Sequence, residues 1–381
     1  MRAALIALGL IACGRIDFDP QEEQPVPPAA ELAIAVASFE TTSNAFTPIT
    51  DATMVVPPAD HRWLLVTTAT LQSTSLVDVA AEVRYTVDGV ERGIGGTHNS
   101  VVDRPGPFQH YAVLAASDAS QTVAFELRDA STGTARIEQL RAYVVPLAED
   151  AVFEAVDPVT TVTATTLSPA ITFTPAMPTG EYLFFALANT SEGTGSDCHT
   201  RWIGASGTAV TNDMQMPRHS LQSQLIIWRE QFTAGAEIVL EANITSNTGE
   251  LRYVRLLAMP TLGLPYTYSE RTAAIATTTE QLVHDLTPSF EAERYLWIAS
   301  AQVEPDCMNV ADPPPDVQVV FDGDGVTPST IAHIVDNCAY QTTFGVVEVL
   351  ADRPGTLATS IRSGNGRGVR ANGSQIVLLG L

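Results

Sequence analysis

The sequence predicts an all-β protein: three tandem β-sandwich domains behind an N-terminal export signal and a disordered linker. Three observations predict it. Short segments rich in Val, Ile, Thr and aromatic residues alternate apolar with polar, and Gly, Asn, Ser and Pro separate them; this is the pattern of strands and turns. No amphipathic helical period extends over ten residues or more. Similar strands also recur far apart, with the aromatics Trp63, Tyr182 and Tyr295 spaced by 119 and 113 positions.

The chain opens with a charged residue, Arg2, and an apolar run over residues 3–12 that stops at Cys13. That run is too short to span a bilayer, which needs ~20 apolar residues, and it has the layout of an export signal. The stretch Leu10-Ile11-Ala12-Cys13 resembles the lipobox of bacterial lipoproteins, whose cysteine is lipidated and becomes the new N-terminus. The resemblance implies a signal peptide over residues 1–12, lipidation of Cys13 and attachment to the membrane through acyl chains. Gly14, where Asp would favour the inner membrane, implies the outer membrane of a Gram-negative bacterium. Residues 13–31 are acidic and carry Pro20, Pro25, Pro27 and Pro28. They bury too little to fold and form a semi-extended spacer.

Three sandwich repeats follow, expected over residues 32–147, 148–262 and 263–381. Each has an early aromatic-led strand: Trp63-Leu64-Leu65-Val66, Tyr182-Leu183-Phe184-Phe185, and Tyr295-Leu296-Trp297-Ile298. A second element, Val83–Gly89, resembles Val317–Gly323, and both end in Asp-Gly, a hairpin signal. Its looser counterpart is Arg201-Trp202-Ile203-Gly204. A closing strand recurs around Arg141 and Arg255, and its apolar counterpart runs from Ile376 to the end. Seven or eight short strands per repeat is a sandwich pattern. The order of these elements resembles jelly-roll modules, including C1q/TNF-like and carbohydrate-binding ones. C1q/TNF-like modules are often trimers, which leaves the oligomeric state open here.

Composition excludes several functions. The chain has 381 residues and a formal net charge of −23, which repels nucleic acid and anionic surfaces and favours cations or basic partners. All 20 basic side chains are arginine. Without lysine there is no Schiff-base chemistry, no Walker-type phosphate loop and no Ser-Lys catalysis. Gly-x-Ser-x-Gly is also missing. The expected role is therefore a non-catalytic structural or adhesive one in the cell envelope, contacting an envelope protein or polysaccharide. A carbohydrate-binding protein is the second reading, and an envelope hydrolase the third.

Candidate sites are few. Asp322 and Asp324, with Asp312 and Asp316 nearby, offer oxygen ligands for calcium, although Asp-Gly turn chemistry already explains Asp322. No other cofactor is expected. Trp202 and Trp228, near Tyr182, are candidates for a sugar-stacking platform, but Trp202 and Tyr182 recur at strand positions, which argues for core. Export favours disulfides, and Cys307 and Cys338 fall in one repeat, so they are expected to pair. Cys198 is then left over.

Overall fold

A computed structural model describes residues 32–74, 81–97, 106–192, 198–211, 213–216, 221–244, 248–271, 275–305, 316–323, 326–334, 342–351, 355–363 and 368–381. The signal, the linker and Cys13 lie outside these residues, as do Cys307, Cys338, Asp312 and Asp324. No helix occurs among the described residues.

The first repeat has eight strands: β1 (Ala33–Thr41), β2 (Thr47–Val56), β3 (Trp63–Ser73), β4 (Ala81–Val87), β5 (Val90–Thr97), β6 (Gly106–Leu114), β7 (Gln121–Asp129) and β8 (Ala135–Pro146). They pair in the orders β1-β8-β3-β6 and β2-β7-β4-β5. These are the two sheets of a jelly roll, with all pairings antiparallel.

The second repeat comprises β9 (Val152–Val156), β10 (Thr160–Val162), β11 (Ser168–Phe173), β12 (Gly180–Glu192), β13 (Cys198–Ile203), β14 (Met214–Met216), β15 (Leu221–Phe232), β16 (Ile238–Ile244) and β17 (Gly249–Pro260). The third comprises β18 (Tyr266–Arg271), β19 (Ile275–Thr277), β20 (Gln281–Leu286), β21 (Arg294–Pro305), β22 (Asp316–Gly323), β23 (Val326–Ile334), β24 (Thr342–Ala351), β25 (Leu357–Ser363) and β26 (Val369–Gly380). In both, the first strand is split in two, and the same orders return: β10-β17-β12-β15 with β11-β16-β13-β14, then β18-β26-β21-β24 with β20-β25-β22-β23. A single pair, Leu221 with Gly96, joins β15 to β5 and merges two of these sheets into one of nine strands.

Sequence explains the local details. Asp88 and Gly89 connect β4 to β5 with φ of 52° and 76°. Two positive φ values make the I′-type turn that Asp-Gly favours. On the outer sheets, arginine pairs with glutamate across strands: Arg84 with Glu126 at 2.5 Å, and Arg201 with Glu241 at 2.9 Å. Such pairs add small increments to a solvated sheet face.

The aromatic-led strands are buried on both faces. Trp63, Leu65 and Ala69 enter the first sandwich core, Tyr182, Phe184 and Ala186 the second, and Tyr295, Trp297 and Ala299 the third. The alternate residues Leu64, Val66, Leu183, Phe185, Leu296 and Ile298 enter a fourth core shared by all three repeats. The closing strands add Tyr143, Val145, Leu257, Met259, Val377 and Leu379 to it. The edge strands of the three inner sheets, β6, β15 and β24, contact one another pairwise. Residues 32–381 thus form one compact unit in which three inner sheets face a common centre.

Candidate functional site

Each inner sheet meets the next repeat along a seam, and two seams carry clefts among the described residues. The register makes them equivalent. Trp63 pairs with Leu114 where Tyr182 pairs with Glu230, so Leu114 and Glu230 correspond. Ala155 pairs with Arg255 where Glu270 pairs with Gln375, so those residues correspond too.

In the seam between the first and second repeats, Arg255 reaches from β17 into the first repeat and is 2% exposed. Its Nη1 donates to the Tyr85 hydroxyl at 2.9 Å and to the Tyr111 carbonyl, and it lies 3.2 Å from His110 Nδ1. Its Nη2 donates to the Arg92 carbonyl and contacts Asp157 at 3.5 Å. Arg92 is the extra residue of a β-bulge, since Tyr85 pairs with Gly93 and Thr86 with Glu91. A bulged residue leaves the ladder, and Arg255 satisfies its carbonyl. Burial opposes the guanidinium's charge, but Tyr85 and Asp157 hold its pKa above the ordinary arginine value.

Arg255 can only donate, so His110 Nδ1 beside it carries no proton and accepts from the Tyr85 hydroxyl at 2.9 Å. Burial first, and the charge of Arg255 second, hold the His110 pKa well below 6.5. The ring is therefore neutral, with its proton on Nε2, an atom without a hydrogen-bond partner. A Cβ on Gly93 would lie 2.3 Å from Tyr85 and 2.7 Å from His110, so glycine makes room for the pair. The cleft beside this network holds about 270 Å³.

The seam between the second and third repeats is more open, with a cleft of about 460 Å³. Its walls include Trp228, Glu230, Glu270, Gln302 and Gln375. Glu230 accepts from the amides of Ala205 and Ser206 at 2.9 and 2.7 Å and from Trp228 Nε1 at 3.1 Å. Glu270 accepts from the Tyr268 hydroxyl at 3.0 Å and from Gln375 Nε2 at 3.4 Å. Gln375 in turn accepts from Ser300 at 2.9 Å.

The residues expected from sequence fall elsewhere. Trp202 is 0% exposed and stacks on Phe173 at 6.2 Å in the second core; it presents no face to a ligand. Trp228 stacks on Phe184 at 4.9 Å and lines the open cleft while only 4% exposed. The platform is thus corrected: recurrence at strand positions meant core. Asp316 and Asp322 stand at opposite ends of β22, roughly 20 Å apart at the rise of a strand, so they cannot share one calcium ion. Asp322 is exposed and accepts from the Gly323 amide at 2.8 Å, a turn contact. Cys198, the one described cysteine, is buried at the start of β13. Sequence marked Arg255 only as part of a recurring strand; its signal was a charge inside an apolar run. Glu270, Gln302 and Gln375 gave no signal, because their meeting depends on how repeats pack.

The repeated strand orders define a jelly-roll protein. No protein-family model and no curated protein sequence matches the chain. Among solved structures, a chain from the atomic structure of Sulfolobus Turreted Icosahedral Virus is 10% identical with a TM-score of 0.21, covering 86% of this chain and 83% of that one. A chain described with the triple jelly roll fold and turret assembly of an archaeal virus is 9% identical, TM-score 0.21, covering 92% and 91%. The STIV MCP crystal structure is 9% identical, TM-score 0.21, covering 61% and 97%. Likeness at this level carries no argument about function, and the jelly-roll assignment stands on the strand orders.

Proposed function

We propose that the protein is a lipid-anchored, non-catalytic interaction protein of the bacterial cell envelope, held at the outer membrane through Cys13. The observation that carries the role is the shared core. The inner sheets bury their apolar faces against one another, so the outer sheets and the seams are what a partner meets. The anchor rests on Leu10-Ile11-Ala12-Cys13 and the Pro-rich residues after it. Several acyl chains hold a protein stably, because each buried CH₂ contributes ~0.8 kcal/mol.

Metabolic labelling with a fatty acid tests the anchor. Wild type takes up label and sediments with membranes, whereas Cys13→Ser takes up none and is released. Membrane association of an unlabelled wild-type protein would overturn the reading. Polysaccharide binding is the second reading, favoured by the polar lining of the cleft between the second and third repeats. A glycan array decides it.

A further inference from the structure

We propose that the open cleft between the second and third repeats binds the guanidinium of an arginine side chain on a basic partner protein. The molecule supplies its own comparison. At the first seam the corresponding position is filled from within: Arg255 crosses from one repeat to the next, and its Nη1 and Nη2 meet acceptors there. At the second seam the corresponding residue is Gln375, which ends at Ser300 and Glu270 on its own repeat.

Three exchanges around it favour acceptors, while a fourth, Val113 to Arg229, adds a cation. Arg255 becomes Gln375, Ala155 becomes Glu270, and Leu114 becomes Glu230. One cation, Arg255, is lost and another, Arg229, is gained, and two carboxylates are added where the cleft widens from about 270 to about 460 Å³. An acceptor-rich wall facing a gap the size of a side chain suits a planar donor fork.

Arg229 also lines the cleft, but its guanidinium is engaged. It lies 5.4 Å over the Tyr268 ring and stands 3.8 Å from Glu181. A saccharide fits less well, because Trp228 is 4% exposed and offers no stacking face. The chain's charge of −23 draws basic partners toward the cleft.

The inference rests on the interaction role but not on the lipid anchor, so its failure and that of the labelling experiment are distinguishable. The test is titration of the purified full-length chain with L-argininamide and with a short peptide carrying one arginine, alongside the same peptide carrying citrulline. Saturable binding of both arginine probes is expected, weakening with added salt, with the citrulline peptide roughly tenfold weaker for loss of the charge-assisted bonds. Glu270→Ala should weaken binding by a similar factor. The double change Glu270→Ala with Gln375→Arg restores two of the first seam's residues in the second and should abolish binding while the melting temperature holds. Glu270→Gln, which keeps the shape, guards against a variant that folds poorly and should weaken binding as Glu270→Ala does. The proposal is overturned by no saturable binding to wild type, by equal binding of citrulline, by unchanged binding in the double variant, or by oligosaccharides that bind the cleft in preference to arginine.

Discussion

Replacing Arg255 by Met tests whether the first seam is held by its buried guanidinium. Met keeps the length of the stem and removes every donor. The Tyr111 and Arg92 carbonyls lose the bonds Arg255 gives them, and each buried unsatisfied group costs ~1–3 kcal/mol. Tyr85 and His110 keep their bond to each other, so they add little. Against this loss stands relief from keeping a charge buried with one partly exposed carboxylate, Asp157, beside it, a term that can cancel the gain from buried ionic contacts. The two carbonyls dominate, and the expected net loss is ~2–4 kcal/mol. If residues 32–381 melt as one unit, ~3 kcal/mol lowers Tm by about 4 °C. Urea unfolding followed by tryptophan fluorescence, with a parallel calorimetric scan, measures both. A variant as stable as wild type, or more stable, would refute the reasoning and show that desolvation of the guanidinium outweighs its bonds.

Three further predictions concern the first seam and the shared core. His110 is neutral when folded, and its pKa lies below the unfolded value of 6.5; the unfolded chain therefore takes up the proton first, and stability falls as pH drops below about 6.5, by up to ~1.4 kcal/mol per pH unit. Comparing urea midpoints of wild type and His110→Gln at pH 5.5 and 7 isolates this contribution, and equal pH slopes would remove it. Gly93→Ala sets a Cβ 2.3 Å from Tyr85 and 2.7 Å from His110, and overpacking there should cost ~1–3 kcal/mol, read as a lower Tm. Phe185→Ala opens the shared core at a site 2% exposed and should cost ~3–5 kcal/mol; calorimetry should show the whole transition moving, whereas a shift confined to one of several transitions would show that the repeats melt independently.

The sequence by itself determined the strand content and the recurrence. Trp63, Tyr182 and Tyr295 occupy the same place in three inner sheets, and Arg141, Arg255 and Ile376 lie on the three strands that pair beside them. These were legible because alternation and Asp-Gly turns act over a few residues. The opening strands β1, β9 and β18 were not legible, because they are partly exposed edge strands without a regular alternation. The second buried face was hidden as well. An apolar run such as Trp63–Val66 reads as a buried strand, yet nothing in it says that Leu64 and Val66 meet Phe185 and Ile298 rather than their own sandwich. The tertiary structure alone decided that, and the site with it. Tyr85, His110 and Arg255, or Glu230, Glu270 and Gln375, come together across long stretches of chain. Burial of the inner sheets against one another forms the seams, and that packing is a property of the assembled surfaces rather than of any one segment.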